Sequence, residues 1–482
     1  MSSAVLSILI APVYVKFLGL EKMGILAVGQ AIASYLVLAN GGINASTTIL
    51  VSHAHGQGDW TAIAKAFRHG VLLSIAAVGL VVAATIGLAF FLEHPTFARV
   101  VRLEHPEWVP LILAIGGQAA VGLIAGSFYN LHAGLQNTRQ VVVLQGSVRI
   151  VGQLLSAGAA VLFGAAYAVV VAHTVATAIG GVLAALLAYL SHRELFSPAP
   201  IEGGQAIVHL RTGAKSFGLQ VGGAIGSSSP VFSINHANGA TAVPTFTLPL
   251  QLINVVNNII VSFAHFMQPA FGEAWSKGDR DWIRQTVVDF MEKIVFLLMV
   301  ASAGFVAVGA PFIRAWVGVD VSVMMLLSVV IVSSSQTLTA WWRSLLSGIN
   351  RHRRAAQSEI LNGFLILFLT LVICRKSIDA LGLGVLLAGA ATSYWVLPGE
   401  IRRHLDIPRL FPRGRKLLAM AAVSAAVYLS ALGVLAMSTP ASRVGTFVQV
   451  AAAVLTGSIA FVLSASALRL IAFRPLVAKW KT

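Results

Sequence analysis

The chain reads as long apolar runs separated by short polar gaps, and the runs are about as long as a bilayer is thick. Segments of about 20 residues with few charges match the hydrocarbon core at the helical rise. No stretch alternates apolar and polar positions over the length of a strand. Lipid admits only helices or closed barrels, so an all-α polytopic membrane protein is predicted. About fourteen spans follow. The first six run roughly Ser3–Leu20, Gly24–Val51, Val71–Leu92, Val109–His132, Val141–Phe163 and Ala166–Leu190. After a polar stretch from Ser191 to Gly213 come Ser216–Asn235, Thr241–Ala270, Thr286–Ile313, Val321–Leu346, Ile360–Cys374 and Leu381–Leu397. Leu417–Met437 and Phe447–Leu468 close the series.

The gaps alternate in charge. One set carries Lys65 and Arg68, Arg139, Arg193, Arg211 and Lys215, then Lys277, Arg280 and Arg284. It continues with Arg343, Arg351, Arg353 and Arg354, the cations from Arg402 to Lys416, and the tail from Arg469, and it holds 23 of the 33 Lys and Arg. The other set has only Lys16, Lys22, Arg99, Arg102, Arg314, Arg375, Lys376 and Arg443. Lys and Arg concentrate in cytoplasmic loops, so both termini are predicted cytoplasmic. Trp60, Trp108, Trp275, Trp282, Trp316, Trp341 and Trp342 fall near span ends, where an amphipathic indole is comfortable.

Composition mainly excludes. A net charge of +16 over 482 residues invites a nucleic-acid reading, but the basic residues flank apolar spans, where anionic membrane lipids explain them. No nucleic-acid partner is expected. The one cysteine, Cys374, permits neither an intramolecular disulfide nor a thiolate cluster. No metal site, cofactor or Walker sequence is predicted, so ATP is not the direct energy source. The chain starts inside hydrophobic sequence, without the basic segment a cleavable signal needs.

A weak internal echo spans about 220 residues. Gly58-Asp59-Trp60 follows the second span and Gly278-Asp279-Arg280 the eighth, each before a mixed segment entering the next helix. Two six-helix blocks entering from the same membrane side form a parallel repeat, a common transporter plan. The predicted organisation is an N-lobe at 1–195, a cytoplasmic linker at 196–213, a C-lobe at 214–400, and helices 13 and 14 with a basic tail at 401–482.

Several segments carry a resemblance. Pro12 in the first span and the connector from Phe17 to Gly24 are similar to the opening of polysaccharide flippases. The polar break Asn40-Gly-Gly-Ile-Asn44, Gly58-Asp59, Gln268-Pro269 and Trp275 to Asp279 fit in order and spacing. The chain thus resembles Wzx-type O-antigen flippases of the multidrug/oligosaccharidyl-lipid/polysaccharide exporter superfamily. That resemblance implies two six-helix lobes, two extra C-terminal helices, alternating access and an undecaprenyl-diphosphate-linked oligosaccharide as substrate. It also implies the bacterial inner membrane and association with a polysaccharide polymerase or co-polymerase. Two departures stand out: His53 and His55 occupy a region where these proteins often carry arginine, and a cytoplasmic N-terminal tail is missing. Lipid II flippases share the plan but carry several arginines around the first two helices, where this chain offers only Lys16.

Few charges remain inside the spans. Arg149 lies well inside the fifth, with Gln145 a turn before and Gln153 a turn after, a polar stripe suited to a diphosphate or acidic sugar. Snorkelling to the interface is the bland alternative. Lys293 in the ninth span has Asp289 at i−4 and Glu292 beside it: a self-contained ion pair, a substrate contact, or a cation-coupling site. Lys215 at the mouth of the seventh span is a headgroup anchor or a cavity-entrance residue. Asn254 and Asn258 share a face of the eighth span and suit sugar hydroxyls, though helix–helix hydrogen bonding uses the same residues. Glycine pairs 180–181 and 222–223 read as close packing.

Three functions compete. A flippase needs a hydrated basic cavity for its polyanionic head. A cation-coupled multidrug exporter needs membrane-embedded carboxylates, yet the acids of the first half all fall in predicted loops. A membrane polymerase or glycosyltransferase needs a catalytic constellation, and none is visible, so no enzyme is expected.

Overall fold

The computed structural model describes residues 2–96, 98, 103–196, 203–349, 353–437 and 442–468. Regular structure among them is helical throughout, with no strand. In chain order the helices are α1 (Ser2–Leu36), α2 (Ile43–Gly56), α3 (Trp60–Leu92), α4 (Trp108–Gly134), α5 (Thr138–Phe163) and α6 (Ala166–Ser191). Next come α7 (Gly203–Asn238), α8 (Val243–Ser276), α9 (Arg280–Val317), α10 (Val323–Gly348) and α11 (Arg353–Cys374). The last are α12 (Leu381–Ala391), α13 (Ser393–Leu405), α14 (Gly414–Ala436) and α15 (Arg443–Ala467).

Among the described residues, 12 helical segments are long and apolar enough to cross a membrane. The segment Val5–Asn40 holds most of the first predicted span and the first part of the second, and Gly19 breaks it at φ 77°, ψ 170°, a conformation that needs a residue without Cβ. The predicted span Gly24–Val51 is itself interrupted at Gly41 and Gly42 and continues as α2. The predicted seventh span lies in α7, which is 36 residues long but too polar to be counted among the 12. The protein is therefore a multi-pass, all-α membrane protein. The tail from Arg469, Arg351 in its loop, and the Ser197-to-Pro200 linker lie outside the described residues.

Two Gly-Asp turns account for the internal echo. Gly58 (φ 71°) and Gly278 (φ 75°) both take left-handed conformations. In each copy the following Asp caps the next helix: Asp59 accepts from Ala62 N at 2.9 Å, Asp279 from Trp282 N at 3.1 Å. Even the preceding backbone bond recurs, Asp59 N to Ala54 O and Asp279 N to Ala274 O.

The chain divides into two compact units, Met1–Leu248 with Arg351–Val396, and Pro249–Asn350 with Leu397–Thr482. In the first, α4 packs on α3 and α6, α5 on α1 and α6, and α7 on α11, α1 and α2. Small residues permit these contacts. A methyl on Gly180 would strike Val148 and Tyr129, and one on Gly222 the backbone of Glu359. Both glycine pairs thus serve close packing, as read from the sequence. An ion pair closes one end of the unit: Lys22 Nζ lies 2.7 Å from Glu107 and donates to Gly164 O at 2.8 Å.

In the second unit α9 packs on α10, α14 and α15, and α14 on α15. Trp341 and Trp342 are each 1% exposed here, against Phe271, Phe290 and Phe411. They are core residues, not interfacial ones. Their aromatic area finds better burial among rings than at a headgroup boundary.

Candidate functional site

α5 has two sides of different chemistry. Val143, Val151, Leu154 and Leu162 are exposed and apolar, as expected of a face toward lipid. Arg149 is also exposed, yet at 3.6 residues per turn it lies within about 20° of Ser156 and Ala160, and about 120° or more from that apolar face. Ser156 and Ala160 are buried, Ser156 through a bond to Val169 O at 2.9 Å on α6. Arg149 thus lies in line with these buried positions, while the exposed Val142 and Phe163 also fall within about 40° of it. Gln145 (exposed) and Gln153 (half-buried) lie about 40° to either side. The Gln153 Oε1 atom is buried without a hydrogen-bond partner. Gln145, Arg149 and Gln153 thus share one sector of α5.

The same unit has polar groups that sequence reasoning passed over. Gln30 on α1 donates to Gln118 on α4 at 3.4 Å, and Thr48 on α2 to Asn130 on α4 at 3.2 Å. Asn44 Oδ1, on the first turn of α2, is buried without a partner. The signal was present in the break from Asn40 to Asn44, where glycines at φ 55° and 81° stop the helix between two asparagines. Amide side chains and a guanidinium are donors that fit hydroxyls and phosphate oxygens.

Glu359 is the other residue missed. It is 3% exposed on α11, and Ser393 Oγ donates to it at 2.9 Å. Thr392 donates to Asn362 on the same helix at 3.1 Å. Further along, Ser233 on α7 is bonded to Thr370 at 2.8 Å, and Ser34 on α1 to Ser228 at 2.6 Å. Much of the polarity of α7 is thereby spent on its neighbours. Lys215 falls on α7, but its side chain lies outside the described residues.

In the second unit the predicted acid–base cluster is distributed differently. Lys293 is exposed and lies over the Phe290 ring at 5.5 Å, forming no pair with Asp289. Glu292 instead meets Lys416 of α14 at 2.7 Å. Arg284, Asp289, Glu292, Arg409, Arg413 and Lys416 line a groove of about 720 Å³. Asn254 accepts from Ser333 at 2.8 Å, and the buried Asn257 donates to the same hydroxyl. Asn258 is exposed. Among the described residues no group of three His, Cys, Asp or Glu side chains is placed to hold a metal ion.

A family model described as polysaccharide biosynthesis protein matches residues 1–275. The chain belongs to that family. No curated protein matches it. Among solved structures, it is similar to the lipid II flippase MurJ in an inward closed conformation, with a TM-score of 0.72 at 10% identity over 97% of both chains. An inward-facing multidrug-resistance MATE transporter of the MOP superfamily gives 0.63 at 14% identity, over 84% of this chain and 95% of that one. A MOP-superfamily transporter from Pyrococcus furiosus, described as having a binding pocket of reverse polarity, gives 0.58 at 15% identity, over 84% and 93%. At these identities the likeness establishes the fold, that of MOP-superfamily transporters.

Proposed function

We propose that this protein flips an undecaprenyl-diphosphate-linked oligosaccharide across the bacterial inner membrane for surface polysaccharide biosynthesis. Both termini are cytoplasmic in this reading, and two lobes rock between inward and outward access. The protein is a transporter, not an enzyme, and it hands its product to a polysaccharide polymerase or co-polymerase. The observation that carries the reading is Arg149, a cation within an apolar helix and in line with its buried Ser156 and Ala160, in a family devoted to polysaccharide biosynthesis. An exposed cation among amides lowers the cost of moving a diphosphate through a low-dielectric slab, while the polyprenyl tail stays in lipid. Lys293, Lys215 and the exposed Asn258 are secondary contacts.

In cells lacking the chromosomal copy, Arg149→Ala is expected to cut surface-glycan export about tenfold or more, the worth of a charge-assisted hydrogen bond. Lys293→Ala should also lower it, with both variants present in the membrane at normal levels. Full export by both would sink the site assignment.

A cation-coupled exporter remains the second reading, and Glu359 is the observation that favours it, being a buried carboxylate of the kind coupling requires. Asp289 and Glu292, the carboxylates first considered for coupling, are exposed and paired with Lys416, respectively. Drug efflux without a glycan phenotype would decide for this reading.

A further inference from the structure

One buried point ties α7 to the helices before it. His209, on the second turn of α7, is 0% exposed, and His69 on α3 is 4% exposed. Their rings stack with centroids 6.5 Å apart and planes 24° apart. The hydrogen bonds assign the tautomers. Ser46 Oγ on α2 gives its one proton to Ile43 O at 2.9 Å, so it accepts from His209 Nδ1–H at 3.2 Å. His69 Nδ1–H donates to Lys65 O at 2.8 Å. Both Nδ1 atoms therefore carry a proton. His209 Nε2 is buried and unpartnered.

The backbone here is packed to match. Gly42, before α2, meets Gly213 on α7 so closely that a methyl on either would collide with the other. The ionisable groups on the packed elements are His53 and His55 on α2, Lys65 and Arg68 on α3, Tyr129 and His132 on α4, Arg193 and Glu194 on the turn 193–196, and Arg211 on α7. Asp59, capping α3 ten residues before His69, is about 15 Å away along the helix axis. Where α1 and α11 meet α7 further along, they bring Tyr35 beside Ser228 and Glu359 beside Gly222. A cavity of about 300 Å³ lined by His53, Asp59, Lys65 and Ala66 opens on the same stretch of α3.

We propose that His209, stacked on His69, is a proton-binding site that latches α7 onto α2 and α3, the neutral His209 ring holding the helix seated and proton uptake releasing it. The inference needs no particular substrate and so stands apart from the flippase reading. Its sign follows from burial. With α7 seated, burial pushes His209 down to about 4, the His69 imidazole adds to that, and the Ala66 carbonyl offsets part of it. A hydrated His209 returns to the ordinary histidine value of about 6.5. The seated state is therefore fully favoured above about 6.5 and loses its advantage as pH falls toward 4. At pH 5 the equilibrium shifts about twentyfold toward release relative to neutral pH.

The test uses the full chain in nanodiscs, with Cys374→Ser and spin labels on Leu72→Cys (α3) and Ile207→Cys (α7). Between pH 7.5 and 5.0 a second, longer distance is expected to grow in otherwise unaltered protein, and His209→Leu should abolish the pH response. In parallel, unlabelled protein without substitutions should lose hydrogen-exchange protection at residues 205–213 over the same interval, after correction for intrinsic rates. That second measurement does not depend on any variant folding. A response unchanged by His209→Leu, or protection that is flat with pH, overturns the latch and leaves the transport reading untouched.

Discussion

Arg149 owes its interest to its angle on α5 rather than to its depth. A lipid-facing arginine at that position would have to snorkel, but this one is in line with residues that its helix buries about two and three turns further on. Its planar fork should matter beyond its charge: Arg149→Lys is expected to retain part of the export that Arg149→Ala loses, a few-fold deficit against about tenfold. Glu359 yields a stability prediction instead. Replacing it with Ala strands the Ser393 hydroxyl in a buried site, a cost of about 1–3 kcal/mol, whereas Glu359→Gln keeps an acceptor and costs less. Thermal unfolding of the purified variants in detergent checks that order. Neither residue could be fully placed from sequence. Arg149 was visible as a charge inside a span, though not the side it faced. Glu359 was missed because hydropathy ended the predicted span at Ile360, while the helix begins at Arg353 and carries the carboxylate inside.

Helices were legible wherever a local rule governs them. The Gly-Asp turns could be read as an echo because a left-handed glycine and a capping aspartate are requirements of the turn itself. The same locality makes Asp279→Ala a cap deletion, expected to cost about 1 kcal/mol. Contacts between distant helices left no such trace. Lys22 and Glu107, read as two loop charges, pair across α1 and α4, and Glu107 also accepts from Ala166 N at 2.8 Å at the start of α6. Glu107 is 13% exposed and Lys22 34%, so removing one partner leaves the other partly desolvated. Lys22→Met alone should lower stability by about 1–3 kcal/mol, and Lys22→Met with Glu107→Gln by less than the sum of the two singles. A double-mutant cycle on thermal unfolding measures the coupling. Trp341 and Trp342 failed for a related reason: an indole near a span end suits an interface or a ring-lined core equally well, and only the packing of Phe271, Phe290 and Phe411 decides.

For the whole molecule, the strongest sequence signal was the alternation of basic gaps, and it yields a prediction independent of substrate. The turn between α4 and α5 carries Gln136 and leads into Arg139 on the first turn of α5, and the turn after α11 carries Arg375, Lys376 and Ser377. Both turns are basic, so charge at one turn cannot orient the chain. The orientation comes from summing alternate gaps over all the helices, where one side holds 23 Lys and Arg and the other 8. In a Cys374→Ser background, Ser377→Cys should react with a membrane-impermeant maleimide in intact spheroplasts. Gln136→Cys should react only after permeabilisation, because its turn belongs to the richly basic set. Both positions are exposed, so a failure to label reports sidedness and not burial. Labelling of Gln136→Cys from outside would invert the topology. The His69–His209 end of the first unit would then face the periplasm, and its proton latch would sense that compartment instead.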